Sequence, residues 1–228
     1  MPEPILEVNN LKKAYHRRVI LDNVSFCIYP GDIVGIVGAN GCGKSTLLRL
    51  LSGADTPVSG SIAYNGENPL KNKKLYKKYT GYIPQENPLF ENLTVLDNLK
   101  LWYCDNIDGI SPVMERFGLT KYARYTVSRL SGGMKKRLSI ACSIAGEPPV
   151  LILDEPGASL DIVCKSDICS YLLEYSHSGG TVIITSHEEG ELSLCSRMLL
   201  IENTTLHEIK PVTGAGLMQL IGREEHNA

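Results

Sequence analysis

No run in this 228-residue chain approaches the roughly 18 consecutive apolar residues that a membrane-crossing helix needs. The expectation is a protein that is soluble by itself, with any membrane path supplied by another chain. The start, Met1-Pro2-Glu3-Pro4, has neither the basic segment nor the apolar core of a secretory leader. No charge of one sign dominates. The 23 Lys and Arg against 25 Asp and Glu leave a net charge of −2, so no global basic field argues for nucleic acid. Seven cysteines stand at 27, 42, 104, 142, 164, 169 and 195, an odd number with no CxxC pair. That excludes the signals of a disulfide framework and of a zinc site, and reduced thiols of a cytosolic protein are expected. No internal repeat and no low-complexity tract is visible. What is present is ordinary globular composition, 43% hydrophobic and 21% charged, at a length that suits one domain with or without a small subdomain.

Strand-like runs come early, at Ile5–Val8, Val24–Tyr29 and Asp32–Val37, with Pro30-Gly31 as the turn between the last two. A glycine-rich loop follows. Leu47, Leu48, Leu50 and Leu51 then read as a helix, stopped by Gly53 and Pro57. Ser61–Tyr64 and Gly81–Pro84 read as short strands. From about residue 85 to 146 the chain is helical and strand-poor, which marks an inserted helical subdomain. Thr94 and Asp97 fit a helix start, and Val95, Leu99 and Trp102 recur at i, i+4, i+7 as one apolar face. Pro112–Phe117 reads as a second short helix. Continuous apolar runs at Val150–Leu153 and Thr181–Thr185 suit strands covered on both faces of a parallel sheet. A helical stretch from about Asp161 to Tyr175 between them completes a βαβ unit. Arg197–Glu202 and Leu206–Ile209 are read as final strands, Leu217–Ile221 as a last helix and Arg223–Ala228 as a frayed tail. The lysines at 71, 73, 74, 77 and 78, beside Tyr76 and Tyr79, fit either a solvated face or a contact with an anionic membrane.

The chemistry begins at Gly38-Ala39-Asn40-Gly41-Cys42-Gly43-Lys44-Ser45-Thr46, a complete GxxxxGK[ST] between a strand and a helix. Glycines let backbone N–H groups converge on phosphate oxygens, and the helix start adds positive potential. Gly38, Asn40, Gly41, Cys42 and Gly43 form the cradle. Cys42 is expected to turn its thiol away from the phosphates. Lys44 reaches for the β- and γ-phosphates, and Ser45 offers its hydroxyl to Mg²⁺. Asp154 ends the run Val150–Leu153, where a carboxylate meets the Mg²⁺ shell.

Ser131 stands 23 residues before Asp154, within Leu130-Ser131-Gly132-Gly133. A phosphate loop, then this Ser-Gly-Gly, then the Asp154-Glu155 pair, in that order, resembles one family: the ATP-binding subunits of ABC transporters. The resemblance runs from about Ile5 to His207. It implies an α/β fold, a P-loop NTPase core with an N-terminal antiparallel β portion and an inserted helical subdomain, forming one domain over residues 1–228. It implies ATP and Mg²⁺ as cofactors. Gln85, after Tyr82-Ile83-Pro84, is similar to the family's Q-loop glutamine, which senses Mg²⁺ and the attacking water. Glu155 matches the acid that polarises that water, and His187 the switch histidine on the γ-phosphate. Thr46 matches the contact to the α-phosphate. Tyr15 matches the aromatic that stacks on adenine, with His16 as its neighbouring rival. Ser131, Gly132 and Gly133 match the signature motif, which binds the γ-phosphate held by the opposite subunit. Ser159-Leu160-Asp161 matches the D-loop at the dimer interface.

The motif departs from the common form at Met134, where glutamine is usual, a variant frequent in the export-type branch. The basic run Lys135-Lys136-Arg137 also reads as a solvated helix face. The implied partners are a separate membrane-spanning transporter subunit and, under ATP, a second copy or a related ATP-binding chain. The implied place is cytoplasmic, on the inner face of a membrane. A cytosolic scaffold ATPase, as in iron–sulfur assembly, shares length and motifs and stays open as the rival. A DNA-repair ATPase of related design needs a coiled-coil insertion, and no sustained heptads occur.

Overall fold

The computed structural model describes residues 3–212, 214 and 216, apart from 87, 105 and 159. Chain order runs β1 (Leu6–Tyr15), β2 (Arg18–Ile28), β3 (Ile33–Val37), α1 (Lys44–Leu51), β4 (Ser59–Tyr64), α2 (Lys74–Tyr79) and β5 (Thr80–Ile83). Helices α3 (Val95–Trp102), α4 (Ile110–Arg116) and α5 (Gly132–Ser143) follow, interspersed with short 3₁₀ turns. The chain then returns to strands, with β6 (Val150–Asp154), α6 (Ile162–His177), β7 (Thr181–Thr185), α7 (Glu189–Leu192), β8 (Arg197–Glu202) and β9 (Thr205–Ile209).

Two sheets result. The larger has the order β5-β6-β7-β3-β8-β9 and is parallel except for β9, which pairs antiparallel with β8. The smaller, β2-β1-β4, is antiparallel.

Strand parity explains the layering. Along β6, Val150 and Ile152 join the core beneath α1 and the small sheet, while Leu151 and Leu153 join the core beneath the helical segment. The same alternation divides Ile183 from Val182 and Ile184, and Val34 and Ile36 from Ile33 and Val37. Each strand is therefore apolar throughout, because both of its faces are covered. Leu47, Leu48, Leu50 and Leu51 are fully buried on α1. Full burial of each such side chain stabilises by about 1.5–3 kcal/mol.

Three readings of the sequence need correction. The first two strands are much longer than Ile5–Val8 and Val24–Tyr29. Their polar stretches hide a register shift near Asn10 and Asn23, both at positive φ and joined by a 2.6 Å hydrogen bond. Trp102 does not share the buried face of Val95 and Leu99, but lies 45% exposed at the end of α3. The run Lys135-Lys136-Arg137 is not a solvated face. Lys135 pairs with Glu91 and Arg137 with Asp167, while Lys136 is buried. The N-cap at Thr94 is as expected, its hydroxyl accepting from Asp97 N–H. The final helix and tail lie outside the described residues.

Candidate nucleotide site

The phosphate loop follows β3 at the carboxyl edge of the parallel sheet, where α/β folds place their ligands. Two glycines make its path possible. Gly38 has φ 147°, and a Cβ there would meet Ile201 O at 2.5 Å. Gly43, at φ 116°, is the left-handed residue from which α1 starts. The ammonium of Lys44 is buried and folds back on the loop, donating to Gly38 O at 2.8 Å and Ala39 O at 3.0 Å. The Cys42 thiol lies against Gly38 and the core under α1.

A cleft of about 520 Å³ opens over this loop. Asn40, Gly41, Gly43, Lys44, Ser45 and Thr46 form one wall, and Gln85, Glu155 and His187 the other. Arg18 and Ile20 of β2 complete it. The sequence reading missed these two, and no motif marks them.

Residues at the ends of three neighbouring strands converge here. Asp154 ends β6 and is 4% exposed, and Thr185 at the end of β7 donates its hydroxyl to Asp154 Oδ1 at 2.7 Å. Thr185 was also missed; its signal was its place closing an apolar run two residues before His187. Glu155 leaves the strand at φ 47°, a left-handed backbone rare for a side chain that is not Asn or Gly. Its N–H donates to Thr185 O at 3.0 Å, which anchors that bend. The turn aims the Glu155 carboxylate back into the cleft. There Gln85 Nε2, after β5, donates to Oε2 at 3.1 Å, and His187 Nε2 stands 3.6 Å from Oε1. Burial, then the charge of Asp154, pushes the neighbouring Tyr82 hydroxyl up to about 12.

Tyr15 lies at the end of β1, 40% exposed, and is not among the residues lining the cleft. Its hydroxyl donates to Asp55 Oδ2 at 2.5 Å, and the Lys13 ammonium lies 4.6 Å from its ring centre. The signature residues are also outside the cleft. Ser131 caps α5, accepting from Met134 N–H, and Ser131 and Gly132 are exposed. Gly133 packs against Cys164 in the first turn of α6. Asp161 caps that helix, and the Cys164 N–H it accepts holds its carboxyl below the usual carboxylate range. The signature motif and the D-loop aspartate thus sit side by side in one chain. Ser159 lies outside the described residues. A second cleft of about 510 Å³, between α4 and α6, carries none of these motifs.

The family description "ABC transporter" matches residues 21–158. The chain belongs to the ABC transporter family. Within that family it is an ATP-binding subunit. It is 36% identical over 213 residues to the Nod factor export ATP-binding protein I of Paraburkholderia xenovorans, covering 89% of this chain and 69% of that protein. It is 34% identical over 206 residues to the linearmycin resistance ATP-binding protein LnrL of Bacillus subtilis, covering 87% and 66%. The lantibiotic transport ATP-binding protein SrtF of Streptococcus pyogenes is 36% identical over 188 residues, 80% of each chain. Among solved structures, an ATP-binding subunit of an ABC transporter superposes with TM-score 0.82 at 26% identity, covering 90% of each chain. A dimeric ATP-binding cassette bound to ADP and phosphate gives 0.83 at 23% identity, covering 92% of this chain and all of that one, a likeness of fold.

Proposed function

We propose that this chain powers export across a membrane through a separate membrane-spanning subunit, hydrolysing ATP at sites completed by a second ATP-binding chain. It is read as one ABC-type domain over residues 1–228, with a helical subdomain at about 85–146. The observation that carries the reading is the convergence of Lys44, Ser45, Gln85, Glu155 and His187 on one cleft, with Asp154 buried at the strand end directly before Glu155. The printed name of one relative, Nod factor export ATP-binding protein I, supports the direction of transport.

The protein's share in phosphoryl transfer is position and charge rather than covalent chemistry. Loop N–H groups and Lys44 hold the phosphates, and Thr46 reaches the α-phosphate. Tyr15 stacks on adenine at the open edge. Glu155 polarises water in line with the γ-phosphate, its two oxygens oriented by Gln85 and His187. Ser45, Asp154 and Gln85 would hold Mg²⁺, which supplies charge neutralisation on the phosphates. One carboxylate with hydroxyl, amide and phosphate oxygens suits that ion, and the described residues contain no cluster of three or more acidic, His or Cys ligands.

The membrane subunit docks on the helical subdomain, where Phe90, Leu93, Leu101, Trp102, Ile107 and Tyr125 stand exposed. Isolated exposed apolar residues need no explanation, but six of them between residues 90 and 125 support an interaction surface there. No described helix is long and apolar enough to cross a membrane. The chain is then peripheral, on the cytoplasmic face.

Detergent extraction of tagged chain tests this. Wild type is expected to co-purify with a polytopic membrane protein, and Trp102→Glu to lose that partner while binding ATP normally. Co-purification with soluble assembly proteins instead would sink the transport reading.

A further inference from the structure

Lys136 is the one cation of the signature helix α5 that is buried, at 3% exposure, and its ammonium points at the glutamine loop. Nζ donates to Pro84 O and to Gln85 O, each at 3.4 Å. Both bonds are long, and no third partner for it occurs among the described residues. Burying an ammonium costs several kcal/mol unless it is well paired, so an apolar side chain would be the more stabilising choice here. Burial indeed pulls this ammonium below its ordinary value, against the opposing charges of Asp154 and Glu191. The position therefore carries a cost that packing alone does not explain.

What Lys136 touches suggests the reason. Gln85 donates to Glu155, which His187 faces from the other side. At its other end α5 begins at Ser131. The segments flanking the two motifs are already stitched together. Val127 N–H donates to Leu93 O, Ser128 N–H to Glu91 O, and Lys135 pairs with Glu91. Lys136 adds the only direct link, among the described residues, from α5 to the backbone of Gln85 itself.

We propose that Lys136 is a positioning residue that couples the signature helix to Gln85, and through Gln85 to Glu155, so that a ligand on Ser131–Gly133 in one site reorients the water-polarising carboxylate of the other. The proposal rests on the ATPase reading above. In it, movement of α5 is passed to the Pro84 and Gln85 carbonyls by a charge that neither carbonyl fully satisfies. The two long contacts leave the slack that such a shift takes up. ATP affinity is expected to depend little on the link, because Lys136 is not among the residues that line the cleft.

The test uses the full chain and reads ATP affinity, turnover and thermal unfolding together. Lys136→Met keeps the length and apolar contacts of the stem and removes the charge. It is expected to hold ATP affinity within about twofold and the unfolding temperature at or above wild type, while kcat falls at least about tenfold. Lys136→Arg keeps the charge and the donors, and is expected to restore kcat to within about threefold. In a Gln85→Ala background the Met substitution is expected to cost little more, since both act along one path. A Lys136→Met protein with wild-type kcat overturns the proposal. So does one that loses affinity and stability together with kcat and is not rescued by Arg. If unmutated protein neither binds nor hydrolyses ATP, the ATPase reading itself falls; normal wild-type turnover with an indifferent Lys136 removes this proposal alone.

Discussion

Glu155 carries two demands at once, an unfavourable backbone and a carboxylate held from both sides by Gln85 and His187. Glu155→Gln keeps the shape and leaves Asp154 bonded to Thr185. Turnover is expected to fall by about 10²-fold or more, the order seen when one preorganised electrostatic group is removed. ATP affinity, measured by titration, is expected to stay within a few-fold, and a large loss would place Glu155 in binding instead. Lys44 makes the opposite case. Lys44→Ala should weaken ATP binding and abolish turnover together, and unchanged affinity and hydrolysis would remove it from the site. Tyr15 is pinned by Asp55 but absent from the cleft walls. If it stacks on adenine, Tyr15→Ala should lose about 1–3 kcal/mol of binding, and Tyr15→Phe should keep most of it despite losing the Asp55 bond. Normal binding by Tyr15→Ala, with loss in a His16 or Ile20 variant, would move the adenine contact.

At the scale of elements, legibility followed burial. β3, β6 and β7 are apolar on both faces, so their runs could be read directly, and the motif residues sit at their carboxyl ends because that is where ligands meet a parallel sheet. β1 and β2 mix apolar with polar residues and shift register near Asn10 and Asn23, and only the tertiary pairing defines their length. Lys136 was illegible for a related reason. Its neighbours Lys135 and Arg137 reach surface partners, and three adjacent cations look alike until the helix is packed. The β8–β9 pair adds an element whose strength depends on pH. Arg197 grips Glu208 through two hydrogen bonds, at 2.7 and 2.9 Å, and Asp32 through a third. The hydrogen bond from Arg197 holds the Glu208 carboxyl below its ordinary value despite some burial. A carboxylate so lowered contributes stability above its unfolded value and loses it as the pH falls through the folded one. Glu208→Gln is therefore expected to lower the unfolding temperature at pH 7 and to make little difference at pH 3. Glu208 is about half exposed, so the effect is modest. An equal shift at both pH values would assign it to packing.

For the whole molecule, the residues proposed to act on one ATP stand at two separate places on the chain. The cleft is lined by Lys44, Ser45, Gln85, Glu155 and His187 but not by Ser131–Gly133, while Ser131 and Gly132 are exposed elsewhere beside Asp161. Ile162 and Val163, directly after Asp161, are 85% and 67% exposed, an apolar pair at the start of a helix that no described residue covers. Two chains related by a two-fold axis could complete two sites and bury these residues, the self-complementary arrangement favoured by closed dimers. The γ-phosphate would then bias a two-state equilibrium, holding the pair closed until hydrolysis removes it. A variant that binds ATP and does not cleave it should trap the closed state. Glu155→Gln is thus expected to elute as a stable dimer with Mg²⁺ and ATP and as a monomer with ADP, as measured by light scattering after size exclusion. Ser131→Arg in the same background places bulk and charge on the exposed cap, away from the chain's own nucleotide cleft. It should prevent the dimer without removing ATP from the monomer. A Glu155→Gln protein that remains monomeric at saturating Mg²⁺ and ATP would rule out self-pairing, and mixing it with a related ATP-binding chain would then decide whether the completed site is built from two different subunits.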